Sequence, residues 1–222
     1  MKTSLRVWLL AVVLLSGCVA HIPKAEQSPD LSYQYDDKII ISVIDERHRV
    51  KSGKPENYIG VAHGLFGIPT DMYVYPWVAH EEEKKNQTLA QALEERIVFG
   101  LEDEGWDVVG GAFASRPSEQ KMLGRLRAEA AETLLILTLK EWYVSINLNW
   151  VTAFNLDWNV TVDTFDRDAK ALGSTSVSGR DTIDEDASDS FPNMIRRAYR
   201  DRLSRILEEA EVREALAVVP PS

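Results

Sequence analysis

The chain has 222 residues, 45% of them hydrophobic, and 25 basic against 35 acidic side chains give a formal charge of -10. That length and apolar content suit one domain, with or without a tether. The acidic balance argues against a nucleic-acid partner, whose phosphates need clustered Lys and Arg, and a single cysteine excludes an internal disulfide.

The N-terminus has the three parts of a secretory signal. Lys2 and Arg6 precede an apolar run from Val7 to Leu15 that is shorter than the ~20 residues needed to span a bilayer as a helix. Leu15-Ser16-Gly17-Cys18 follows, with the branched residue, two small residues and cysteine of a bacterial lipobox. The expectation is a signal peptide over 1–17 and acylation of Cys18, which anchors the mature chain to a membrane. Several acyl chains on one cysteine, as in known bacterial lipoproteins, would make that anchor stable, since one chain alone binds marginally. Val19, not Asp, follows the cysteine, a pattern that accompanies sorting to the outer membrane with the protein on its periplasmic side. Residues 18–35 lack periodicity and read as lipidated cysteine plus tether; extended, about a dozen of them would reach roughly 40 Å. The domain is expected over 36–216, with a disordered tail, 217–222, that includes Pro220-Pro221.

Lys38 to Asp45 is a β-branched run that predicts a central strand buried on both faces. Residues 49–80 have no clean period. They hold four glycines, three prolines and the aromatics Tyr58, Phe66, Tyr73, Tyr75 and Trp77, with short strand character around Met72 to Val78. Thr88 and Gln91 form a capping box ahead of a helix whose stripe is Leu89, Leu93, Ile97 and Leu101. Gly105 is placed to stop it, and Trp106 to Val109 begins a strand. A second helix is expected over 117–131, with Pro117 in its first turn and Met122, Leu123 and Leu126 inward. Thr133 to Leu139, continuing toward Val144, is an apolar strand. From Asn147 to Asp166 apolar residues fall on even positions (Leu148, Trp150, Phe154, Leu156, Trp158, Val160, Val162), which predicts a strand with one dry face. Asp166-Arg167-Asp168-Ala169 turns the chain into a return strand over Leu172 to Thr182. A final helix over Ser190 to Ala215 is expected to bury Phe191, Ile195, Ala198, Tyr199, Arg202 and Ile206. The predicted fold is α/β (α+β): a mixed sheet with an antiparallel meander and about three helices packed mainly on one face.

No catalytic set accompanies this pattern. There is no Gly-x-Ser-x-Gly elbow and no phosphate-binding glycine loop. His21, His48, His63 and His80 lack metal-ligand spacing, although His63 and His80 share the irregular segment. The acidic cluster Asp184-Glu185-Asp186 lacks the glycine and glutamate positions of a calcium loop and reads as charge at a helix start, capped by Ser188 or Asp189. No cofactor and no metal are expected. The aromatic segment 58–77 reads either as a lid over the sheet or as a partner-binding surface, with Tyr58, Phe66, Tyr73, Tyr75 and Trp77 as candidate contacts.

The lipobox, the strand ending in Asp45-x-Arg47, Ile59-Gly60-Val61 and the helix-Gly-Trp-x-Val join together resemble the YajG-type lipoproteins of the bacterial outer membrane, over roughly residues 36–165. More loosely, the strand–helix–strand order resembles periplasmic lipoprotein domains of the curli-secretion and peptidoglycan-synthase activator types. The resemblance brings no catalytic residues. The anchor, the tether, the aromatic segment and the missing catalytic set together make an envelope protein partner the expectation. The expected function is therefore a non-enzymatic, lipid-anchored envelope lipoprotein that binds a protein or envelope component, as an assembly or accessory factor would. The alternative is a lipid-handling or transport auxiliary lipoprotein whose ligand cradle is the apolar face carrying Trp150, Phe154 and Trp158.

Overall fold

In the computed structural model the described residues are 20–149 and 153–217. Cys18, Trp150 and Pro220-Pro221 lie outside them, so the readings placed on those residues have no structural counterpart here.

Strand β1 (Ile39–Asp45) is the β-branched run, buried as expected from both sides. Ile39, Ile41 and Val43 face one core, and Ile40 and Ile44 face another. It runs parallel to β5 (Thr133–Asn147) on one edge and to β4 (Val108–Gly110) on the other. β5 has 15 residues, about twice the length of β1, so β1 covers only the first half of its edge. The second half of that edge takes β2 (Tyr58–His63), with Gly60 to His63 parallel to Val144 to Asn147. β2 forms a hairpin with β3 (Pro69–Tyr73). The other edge of β5 pairs along its length with antiparallel β6 (Ala153–Asp166), which pairs with β7 (Ala171–Thr182). The result is a mixed seven-stranded sheet ending in the expected meander.

β5 changes phase midway. Leu135, Leu137 and Leu139 face the larger core, and beyond an irregularity between Leu139 and Glu141 the inward residues are Trp142, Val144 and Ile146. One extra residue, the exposed Lys140, moves the pattern from odd to even positions and keeps the dry face dry.

Where β1 has ended and β2 has not begun, the edge of β5 has no strand neighbour. Arg47 fills this gap. Its guanidinium meets Asp45 side-on, Nε to Oδ1 at 2.9 Å and Nη2 to Oδ2 at 2.7 Å. It also donates to the carbonyls of Tyr58 (2.7 Å), Trp142 (3.2 Å) and Glu56 (3.1 Å). One side chain thus satisfies three backbone acceptors, two at the start of β2 and one on β5, at the branch point of the sheet. The one-turn helix α1 (His48–Lys51) follows it.

Of the remaining helices, α2 (Val74–Trp77) is a single turn. α3 (Leu89–Asp103) has both halves of the Thr88–Gln91 capping box, and Leu89, Leu93, Ile97 and Leu101 are buried. Gly105 follows with φ 92°, the left-handed conformation that favours glycine. α4 (Glu119–Glu129) is capped by Ser118, so Pro117 precedes the cap and is not in the first turn. The expected final helix is two: α5 (Phe191–Leu207) and α6 (Ala210–Ala217). A straight helix of that length would run to roughly 40 Å. The break at Glu208 and Glu209 lets α6 turn and bury Val212, Ala215 and Leu216, with α6 packed against β7. α3, α5 and α6 share the larger core on one face of the sheet. α4 alone covers part of the other, setting Met122 and Leu126 against Ile40, Leu134, Ile136 and Phe165. The α+β class, with helices mainly on one face, is as expected.

Two further readings differ from the structure. Asn147 closes β5, and β6 starts at Ala153 because the chain reverses between them; from there Phe154, Leu156, Trp158, Val160 and Val162 are buried as expected. Residues 20–35, read as a tether, lie against the domain as a strap. Ile22, Gln27, Ser28 and Leu31 are buried, and the Ala20 carbonyl accepts from Asn193 Nδ2 at 2.9 Å. Leu31 N–H donates to Glu104 at 2.8 Å, and the Tyr33 hydroxyl donates to the Leu207 carbonyl at 2.9 Å. The strap is irregular backbone satisfied by side chains of α3 and α5, which no periodicity could reveal.

Candidate functional site: the aromatic hairpin and the strap

The irregular aromatic segment becomes a hairpin and a helical turn. Gly60 is what lets it join the sheet: a Cβ there would lie 1.9 Å from the Val144 carbonyl oxygen, so any side chain would force β2 away from β5. The hairpin closes through Gly64 N–H to the Ile68 carbonyl (3.1 Å) and Gly67 N–H to the Gly64 carbonyl (3.0 Å). Between these, Phe66 adopts φ 70°, ψ 15°. For a bulky L-residue this left-handed conformation costs roughly 1–2 kcal/mol. Burial does not repay it: Phe66 is 95% exposed, and its neighbour Ile68 is 64% exposed. The tip thus pairs a strained aromatic with an exposed isoleucine, neither of them buried in the core.

The five aromatics singled out from sequence do not form one surface. Tyr58 is buried, its ring 6.2 Å from Tyr73 and 6.3 Å from Tyr143, with Lys54 Nζ 4.5 Å above it. Burial, then the neighbouring Tyr143, pushes its phenol well above the ordinary tyrosine range. Tyr58 therefore supports the hairpin from inside and presents no contact face. Trp77 is half-buried against the main core, which is the behaviour of a lid. Tyr75 is half-buried and donates to Glu82 at 2.9 Å. Tyr73 remains 36% exposed beside Tyr58. Phe66 is at the tip, separated from Tyr73 by the length of β3, roughly 13 Å. Ile68 completes the tip and was not among the residues chosen; its place as an apolar residue between Gly67 and Pro69 was the signal for it.

The strap reaches the same end of the molecule. Asn193, which holds Ala20, sits in the first turn of α5. The ring of Phe191 is 5.0 Å from that of Phe154 at the start of β6. That start pairs with the end of β5, Ala153 with Asn147, and Asn147 pairs with His63 at the end of β2. The hairpin tip and the first described residue of the strap therefore share one end of the sheet. Phe191, expected to be core, is 38% exposed there.

Charged anchors hold the strap further along. Burial raises the Glu95 carboxyl, but hydrogen bonds from Lys24, Lys84 and Gln87 outweigh it and bring the pKa to about 2. Lys24 Nζ is 2.8 Å and Lys84 Nζ 2.7 Å from Glu95 Oε1. A cavity of about 330 Å³ lies between strap and α3, lined by His21, Lys24, Gln27, His80, Glu95 and Arg96 among others. Arg96 and Arg196 both donate to the Val78 carbonyl, at 2.8 and 3.1 Å. His80 stacks on His21 at 4.2 Å between centroids, so its ring partner comes from the strap and not from His63. Burial first, then Arg196 and His80, lowers the pKa of His21. Among the described residues no three metal-ligating side chains gather into a site. The acidic cluster is held locally: Asp186 accepts from Ser188, Asp189 pairs with Arg197, and Ser190 caps α5 in place of Ser188 or Asp189.

The face of β6 considered as an acyl cradle is occupied by α5. Phe154 and Trp158 are buried, Tyr199 meets Trp142 edge-on at 5.2 Å, and the Arg202 guanidinium lies 4.0 Å above Trp158. Asp181 holds Arg202 in a two-pronged pair at 2.8 and 2.5 Å. A helix fills the space that the ligand would need.

No protein-family model and no curated protein matches the chain. Solved structures that match the chain include a Xanthomonas campestris protein of the DUF330 family, at 10% identity and TM-score 0.48, covering 81% of this chain and 89% of that one. Lipoprotein GNA1162 from Neisseria meningitidis is 14% identical with TM-score 0.30, covering 76% and 99%. The C-terminal domain of LpoB from Salmonella enterica is 11% identical with TM-score 0.26, covering 67% and 85%. Lipoproteins are thus among the neighbours, at a similarity too low to carry function across. Among the described residues no helix is long and apolar enough to cross a membrane.

Proposed function

We propose that the protein is a lipid-anchored envelope lipoprotein, acylated on Cys18 and held on the periplasmic side of the outer membrane, that binds an envelope component without catalysing a reaction. The hairpin tip carries this reading. Phe66 is strained and 95% exposed, an arrangement that serves contact and contributes nothing to the core. The strap supports it, because its buried contacts fix the domain near its anchor. An accessory role in envelope assembly follows from an anchored binding domain.

The test is co-purification. Full-length protein would be extracted from its own membranes in mild detergent beside a Phe66→Ser, Ile68→Ser variant, with bound proteins and lipids identified by mass spectrometry. Envelope material retained by the first and lost from the second supports a binding role for the hairpin. Turnover of an envelope substrate by the purified protein, abolished by one side-chain change, would overturn the non-enzymatic reading.

A further inference from the structure

The reading above leaves open what the hairpin touches. Three observations converge on one answer. The first is distance. Ala20 is bonded to the domain through Asn193, and Cys18 is two residues earlier, ~7 Å of extended chain. A lipid on Cys18 therefore brings the bilayer up to this end of the domain and leaves little freedom to stand clear of it.

The second is position. The tip lies at that same end, where β2 and β5 finish and β6 begins, side by side at spacings of ~4.8 Å. The third is charge. The protein is acidic overall, yet residues 57–70 and 144–156, which make the hairpin and the strand ends beside it, contain no Asp, Glu, Lys or Arg. The first acid beyond the tip on β3 is Asp71, neutralised by Lys54 at 2.6 Å. The acidic run Asp184 to Asp186 follows the end of β7, about three strand spacings (~14 Å) from the tip, and Asp189, which shares the Asn193 amide with Ala20, is paired with Arg197. An uncharged apolar tip can enter the boundary between headgroups and acyl chains, where an acidic surface would be repelled.

We propose that Phe66 and Ile68 insert into the membrane that holds Cys18, so that the domain stands on its bilayer by the hairpin end. The proposal rests on acylation of Cys18 and names the membrane as the component that the hairpin binds. Insertion adds an apolar contact to an anchor that already supplies affinity, so its consequence is orientation. The opposite end of the sheet, where β1 and β5 begin and β6 turns into β7, then points away from the bilayer.

The experiment uses the acylated full-length protein with one new cysteine, since the sulfur of Cys18 is consumed by acylation. Gly64→Cys places a polarity-sensitive dye beside the intact tip, at a position where an added Cβ meets nothing within 4 Å. Gly124→Cys, equally open and on α4, is the control. Each is reconstituted into vesicles of phosphatidylethanolamine with one-fifth phosphatidylglycerol, with and without a lipid carrying a shallow nitroxide quencher. The expected result is a blue shift and at least two-fold quenching at position 64, neither at position 124, and loss of both when Phe66→Ser and Ile68→Ser are added. Acylated, vesicle-bound protein whose position 64 stays in water would overturn the proposal and leave the anchor standing. Protection of position 64 only after a periplasmic extract is added would overturn it in favour of a protein partner. An intact mass without acyl groups would remove the anchor, and the proposal with it.

Discussion

Arg47 offers the sharpest test of how this sheet is held together. Replacing it with Met keeps the apolar stem and deletes the guanidinium. Asp45, whose side chain is only 7% exposed, then loses its counter-ion, and the carbonyls of Tyr58, Trp142 and Glu56 lose their donor. Breaking a buried pair by removing one partner costs about 3–5 kcal/mol. In a protein of this size each kcal/mol moves the melting temperature by ~2–4 °C, so the expected shift is about 6–20 °C. The assay is urea and thermal unfolding of a soluble Cys18→Ser form, followed by tryptophan fluorescence. Adding Asp45→Asn should recover part of the loss, because it removes the stranded charge but not the orphaned carbonyls. If Arg47→Met loses less than ~1 kcal/mol, then the branch point is not held by this residue and the account of the gap between β1 and β2 is wrong.

Four further outcomes are expected. Gly60→Ala should destabilise by ~3 kcal/mol or more and release the hairpin first, seen as faster amide exchange in 58–73, because its Cβ would collide with the Val144 carbonyl. Thr88→Ala removes half of the capping box and should cost ~1 kcal/mol in urea unfolding. Glu95 titrates at about 2 when folded and near 4.5 otherwise, so it stabilises the strap above pH ~4.5 and loses that contribution as pH falls toward 2. Discounted for its partial exposure, the effect is ~1 kcal/mol, and Glu95→Gln should match the parent protein at pH 2 while exposing residues 22–28 to protease at pH 7. Phe66→Gly should leave stability unchanged or raise it by up to ~1 kcal/mol, since it relieves the left-handed phenylalanine; a clear loss of stability would show that the tip packs against the protein.

The parts of this protein that sequence predicts well are those whose signals are local. Thr88, Gln91, the Leu89–Leu101 stripe and Gly105 specify α3 from cap to stop because a helix bonds to itself. The Ile-rich run of β1 and the even-numbered residues of β6 state their burial in their own pattern. The candidate site was legible only in composition. An aromatic segment rich in glycine and proline marks a special region, but Tyr58 and Trp77 proved to be support, and the exposed tip came down to Phe66 and Ile68.

What sequence alone established was the local content: the α+β class, the charge and most helices and strands, each readable because neighbouring residues carry the information. Tertiary structure decided whatever depends on residues far apart in the chain. The phase change at Lys140 exists because β5 must face one core along 15 residues while two different strands share its edge. Arg47 reads as surface charge until β1, β2 and β5 meet around it. Residues 20–35 read as a tether because their hydrogen-bond partners lie on α3 and α5, some 70 to 175 positions away. The same long-range contacts carry the strap to the hairpin end of the sheet, a meeting that no local pattern in either segment announces.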